Sequence, residues 1–237
     1  MRSLSLIAVL ALAGCSGTSD AAEPAGSTTT RTFALSDFRA IALGGSDDVD
    51  VRVGTGFSVR AQGPASDLAQ LRIVRDGETL RIDRKPRLVI GWVSTRGVKV
   101  FVTMPQIVAA EIGGSGTMTI DRVEGSSFTA ATTGSGNLQI AALATSQAVL
   151  ATRGSGTIAA KGSIDRIAAK VSGSGEIAGR GLKVRDAVVS VAGSGGLRLD
   201  VSGAATGSVT GSGDIDLGRP ARCTISKAGS GEVRCGG

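Results

Sequence analysis

Histidine and tyrosine are absent from the 237 residues, and the aromatic side chains are limited to five phenylalanines and Trp92. Without histidine, a serine or cysteine nucleophile lacks its usual imidazole base, and the commonest nitrogen ligand for zinc is missing. The formal net charge of +6 is spread along the chain rather than gathered in a block. Nucleic-acid binding draws on clustered Lys and Arg with stacking rings between them, and neither is present. The chain also lacks the three-residue glycine period of collagen. What it has is 36 glycines, about twice ordinary usage, and a hydrophobic share of 41 % carried mainly by Val, Ile, Leu and Ala. The apolar residues alternate regularly, which a disordered chain has no reason to do.

The N-terminus reads as a leader. Met1-Arg2 is a short basic start, and Leu4–Ala13 is an apolar run too short for a mature membrane span. The run ends in Leu12-Ala13-Gly14-Cys15, which resembles the lipobox of bacterial lipoproteins. The resemblance implies a signal peptide over residues 1–14, cleavage before Cys15, and acylation of that cysteine. Several acyl chains hold a protein firmly to a membrane where one alone is marginal. Ser16, rather than Asp, follows the cysteine, which by the sorting rule of Gram-negative lipoproteins favours the outer membrane. Residues 15–32 (small and polar up to Thr32) are expected to be a flexible tether, with order beginning near Phe33. Cys223 and Cys235 remain, in a compartment that permits disulfides. A bridge between them is the expectation, beside the alternative of two small buried thiols. Two thiolates without histidine make a poor metal site, so no metal and no cofactor are expected.

Residues 33–112 read as an N-terminal β cap with the first coils. Asp47–Gly54 and Phe57–Gly63 alternate at period two, as half-buried strands do. Asp76-Gly77 lies between two β-rich runs and predicts a hairpin turn. Gly97–Pro105 predicts a strand with Val98, Val100, Val102 and Met104 on one face, and Pro64–Gln70 a single helical turn.

From residue 113 a repeat takes over. Gly-Ser-Gly begins at Gly114, Gly134, Gly154, Gly173, Gly193, Gly211 and Gly229, at steps of 20, 20, 19, 20, 18 and 18 residues. A fixed period in this range signals a solenoid, whose repeats bury their apolar sides against their neighbours. The second and fourth residues after each motif form an apolar series, including Met118/Ile120, Leu138/Ile140, Leu197/Leu199, Ile215/Leu217 and Val233/Cys235. The residues between them are mostly polar. Residues 113–237 are therefore expected to be an all-β solenoid of about seven coils of 18–20 residues, with Gly-Ser-Gly at one corner. Cys223 shares the parity of Phe128, Ile167 and Ala187, so both thiols are expected to face the core of the last coil.

The repeated "GSGNL", "GSGTI", "GSGEI" and "GSGDI", the strand "VKVFVTMP" before "IVAAEIGGSG", and the upstream "LRIVRDGETLRIDRK" together resemble the putative auto-transporter adhesin, head GIN domain family. The resemblance covers roughly residues 33–232. It implies a right-handed parallel β-helix-like fold on a lipid-anchored or secreted envelope protein, with no established enzymatic activity.

Some solenoids of this shape are polysaccharide lyases and hydrolases, so a carbohydrate-active enzyme on acidic polysaccharide is the alternative reading. Glycoside hydrolysis needs two carboxylates across a cleft, and Asp214 and Asp216 share one strand face. Equivalent positions in other coils hold no such pair, which favours solvated strand acids. The acids of Gly44–Val51, "GGSDDVDV", stand alone rather than recurring as a calcium repeat would require. Trp92, flanked by Arg87 and Arg96 in a loop before Gly97, is the candidate contact for an anionic glycan or an envelope protein. The reading is thus a binding or structural module with a membrane anchor.

Overall fold

The computed structural model describes residues 28–85 and 97–236. In chain order the elements are β1 (Thr28–Phe33), β2 (Ala40–Leu43), β3 (Asp48–Val53), β4 (Ser58–Pro64), α1 (Ala65–Gln70), β5 (Leu71–Asp76), β6 (Thr79–Arg84), β7 (Lys99–Met104), β8 (Ala109–Ile112) and β9 (Thr117–Ile120). There follow β10 (Val123–Thr132), β11 (Asn137–Gly154), β12 (Thr157–Gly173), β13 (Glu176–Gly193), β14 (Gly196–Val201), β15 (Ala204–Gly211), β16 (Asp214–Asp216), β17 (Arg222–Ala228) and β18 (Val233–Arg234). All belong to one hydrogen-bonded system apart from the single helix.

The strands stack as parallel coils of a β-solenoid. Ahead of the Gly-Ser-Gly corner, one stack runs β6, β2, β8, β10, β11, β12, β13, β15, β17. Behind the corner, a second runs β7, β3, β9, β11, β12, β13, β14, β16, β18. The coil closes because the in-out alternation slips at fixed places. Ala141-Ala142 and Ser146-Gln147 are each two consecutive outward residues, and both mark bends of the β11 coil besides its Gly-Ser-Gly. Inward residues stack into ladders such as Phe128, Ala148, Ile167, Ala187, Ala205 and Cys223. Each fully buried Ile or Leu of such a ladder contributes about 1.5–3 kcal/mol relative to exposure.

The solenoid has about six turns. The expected count of about seven coils is thus one too high.

The corner explains the repeat. The carbonyl of Gly134 accepts hydrogen bonds from the N–H groups of Ser155 (3.1 Å) and Gly156 (3.0 Å), and that of Gly173 accepts from Ser194 (3.0 Å) and Gly195 (2.9 Å). Coils approach so closely here that a Cβ on Gly154 would lie 2.7 Å from the oxygen of Gly134. "GGSD" at Gly44–Asp47 does not stand alone: the pairings Leu43↔Ile112 and Val49↔Met118 place it on the same ridge, with Asp47 in the place of the last glycine.

The cap reverses the direction of pairing. The chain leaves the first coil after β3 and runs through β4, α1 and β5. It then lays β6 and β7 beneath β2 and β3. β5 covers the edge of β6, β4 covers that of β7, and β1 covers β4, all antiparallel. Strand β1 thus begins at Thr28, five residues before Phe33, within the stretch read as tether. The threonine-rich β1 is almost wholly exposed, so it carries no alternation to announce it. The hairpin turn also lies one residue later than Asp76-Gly77. Asp76 pairs with Thr79, leaving Gly77-Glu78 central, with positive φ (59°) at Gly77 alone. That is the pattern of a type II′ turn.

Candidate binding surface

Strand register aligns the outward residues of the second stack, and of β4 and β1 beside it, into one column. It reads Thr32, Arg60, Phe101, Asp50, Thr119, Gln139, Ala159, Ala178, Arg198, Asp216 and Arg234. Side chains of different size along it sculpt the surface. Ala159 and Ala178 floor a shallow trough of about 320 Å³, with Thr119 and Gln139 on one side and Lys161 and Arg180 on its rim.

Toward the C-terminus the face is tied by ion pairs between coils. Arg180 reaches Asp200 at 3.5 Å and also pairs with Asp216, and Arg198 pairs with Glu176. Other carboxylates brace backbone. Asp214 accepts from the N–H of Glu232 at 2.7 Å, Asp200 from Gly181 at 2.7 Å, and Asp186 from Ala204 at 3.1 Å. The Ala204 bond, with Arg185 beside it, holds the Asp186 carboxyl below its ordinary pKa.

Toward the cap, Phe101 of β7 points outward, with the Arg60 guanidinium 5.2 Å and the Lys99 ammonium 5.4 Å from its ring centre. Two depressions flank this cluster. One of about 230 Å³ is lined by Arg52, Ser58, Arg60, Phe101 and Thr103, among others. The other, about 400 Å³, is lined by residues that include Asp48, Gln62, Gly97 and Lys99.

The family model described as "Putative auto-transporter adhesin, head GIN domain" matches residues 37–220. The chain belongs to this family. No curated protein matches it. Solved structures share the fold. A putative adhesin from Bacteroides fragilis superposes with a TM-score of 0.82 at 20 % identity, over 88 % of this chain and 97 % of the other. A putative adhesin from Parabacteroides distasonis gives 0.71 at 18 % identity, over 89 % and 98 %. A putative lipid binding protein from the same organism gives 0.69 at 21 % identity, over 88 % and 96 %.

In this head GIN domain Asp214 and Asp216, weighed above as a carboxylate pair and read as strand acids, are both engaged. Asp214 holds the Glu232 N–H, while Asp216 pairs with Arg180 and accepts from Gly218 N–H at 3.2 Å. Among the described residues, no group of three or more Cys, Asp or Glu is gathered to hold a metal ion. Cys223 and Cys235 are joined as a disulfide, with Cα atoms 6.2 Å apart, and both pack against the core. Cys15, Trp92, Arg87 and Arg96 lie outside the described residues.

Two features escape a reading of the sequence alone. The first is the Phe101 cluster, whose one signal is a large aromatic at an outward position of "VKVFVTM". The second is the latch at the first corner. The Asp47 side chain is fully buried and accepts from Arg84 Nε at 2.9 Å, from Arg84 Nη2, and from the Val98 N–H at 3.0 Å. Hydrogen bonding to Asp47 raises the Arg84 pKa further above its ordinary value. Asp67 of α1 lies 3.9 Å from the same guanidinium, so a corner, a strand and the helix share one partly buried charge cluster.

Proposed function

We propose that this head GIN domain is a lipid-anchored, adhesin-like binding module of the cell envelope that works without catalysis. Cys15 carries the anchor, the small polar segment after it serves as the tether, and the solenoid presents its flat strand faces to a partner at the outer membrane. The observation that carries this reading is how the acids are used. Asp200, Asp214 and Asp216 are committed to neighbouring coils, while small residues and cations form the open surface around the trough. Family membership and the fold shared with structures called putative adhesins support it.

The test is metabolic labelling with a fatty acid, followed by membrane fractionation. The intact chain is expected to take up label and sediment with membranes, whereas Cys15→Ala is expected to lose both. Ser16→Asp is expected to keep the label but move the protein to the inner membrane. An unlabelled intact chain that stays soluble would remove the anchor from the account. Turnover of acidic polysaccharide that is lost in Asp214→Asn or Asp216→Asn would replace binding with catalysis.

A further inference from the structure

We propose that the outer face of the cap sheet, centred on Phe101, binds an acidic oligosaccharide. This inference rests on the binding-module reading and names its ligand class. Among the described residues, Arg60 and Lys99 form no ion pair with a carboxylate. They are nevertheless held in place, at 5.2 and 5.4 Å from the Phe101 ring centre, by attraction to its π face. A cation ordered by a ring gives up less conformational freedom when an anion arrives than one free in solvent. Arg52 adds a third positive charge beside them, bridged to Asp50 at 3.4 Å.

The shape fits a chain rather than a single ion. The two depressions, of about 230 and 400 Å³, follow each other along β7, with the Phe101 cluster forming the saddle between them. From Val98 to Thr103 the strand advances about 17 Å, the length of a short oligosaccharide. The acids present separate a sugar from a bare polyanion. Asp48 and Asp50 border the two depressions, and a carboxylate there accepts hydrogen bonds from sugar hydroxyls, which polyphosphate, having no donors, cannot supply. Ser58, Thr103 and Gln62 supply further neutral hydrogen-bonding groups. The ligand class is therefore a hydroxyl-rich chain with carboxylates, such as a uronic acid oligomer.

The experiment is calorimetric titration of the full chain with oligogalacturonate, with a neutral oligosaccharide of equal length, and with polyphosphate. Oligogalacturonate is expected to bind in preference to both others. Phe101→Ala and Arg60→Gln are each expected to weaken it about fivefold or more, while Lys170→Gln, an exposed residue of the other strand stack, leaves it unchanged. Arg60→Gln changes an exposed residue, so its melting curve is expected to match that of the unaltered chain and keeps the test independent of folding. Absent oligogalacturonate binding, binding indifferent to Phe101→Ala and Arg60→Gln, or equal affinity for polyphosphate would each overturn the inference. If labelling and membrane attachment persist while oligogalacturonate fails to bind, only the ligand class falls. If labelling fails as well, the module reading falls with it.

Discussion

The carbonyl oxygen of Gly154 stands 2.7 Å from the point where a Cβ on Gly173, one coil further on, would be placed. Gly173 also has φ of +106°, a conformation that side-chain-bearing residues rarely adopt. The repeat is thus a packing device, in which coils meet backbone to backbone at one corner.

Gly173→Ala is expected to cost about 2–4 kcal/mol, from positive φ and from contact with a carbonyl that cannot move without breaking its own bonds. Ser174→Ala, in the same exposed motif, is expected to stay within about 0.5 kcal/mol. Urea titration of the two variants checks the contrast.

Asp47 offers a sharper test. Asp47→Gly restores the Gly-Ser-Gly pattern at the first corner, so an account based on the repeat alone expects a gain. The structure predicts a loss of about 3 kcal/mol, because Arg84 and the Val98 N–H would lose their buried partner. Denaturant midpoints of the variant and the unaltered chain separate the two.

These cases show what the sequence reveals. Period, parity and glycine are properties of single residues repeated at fixed steps, so the coil, its inward ladders and its corner can be read directly. The ladder from Phe128 to Cys223 follows from parity alone. Contacts between distant segments leave no such trace. Arg84 and Asp47 lie 37 residues apart, and Phe101 meets Arg60 only because β4 folds back antiparallel on β7. The same reversal orders β1, whose exposed threonines look like a tether.

Cys223 and Cys235 are 12 residues apart in sequence. In the chain-entropy model a bridge over such a loop contributes about 3 kcal/mol. Thermal melts with and without reductant are expected to differ accordingly, and the double variant Cys223→Ser, Cys235→Ser is expected to match the reduced chain and ignore reductant. Equal melts would show that the bridge adds nothing.

Asp186 gives the stability a pH dependence of known sign. Its folded pKa lies below the ordinary carboxylate value, first because of the Ala204 N–H and then because of Arg185. Its contribution is therefore complete at neutral pH, above the unfolded pKa of about 3.9, and disappears as pH falls through the lower folded value. Asp186→Asn is expected to flatten the acid limb of a stability–pH curve while leaving its shape near neutrality unchanged. An unchanged acid limb would contradict the assignment.

The central claim is that the solenoid is displayed for binding on the envelope. Intact cells treated with a membrane-impermeant amine reagent test it most directly, because Lys161, Lys170, Lys183 and Lys227 are all exposed on the folded chain. The account predicts that these lysines are modified on intact cells, and that Cys15→Ala abolishes their labelling at the surface. Lysines protected until the outer membrane is opened would contradict surface display.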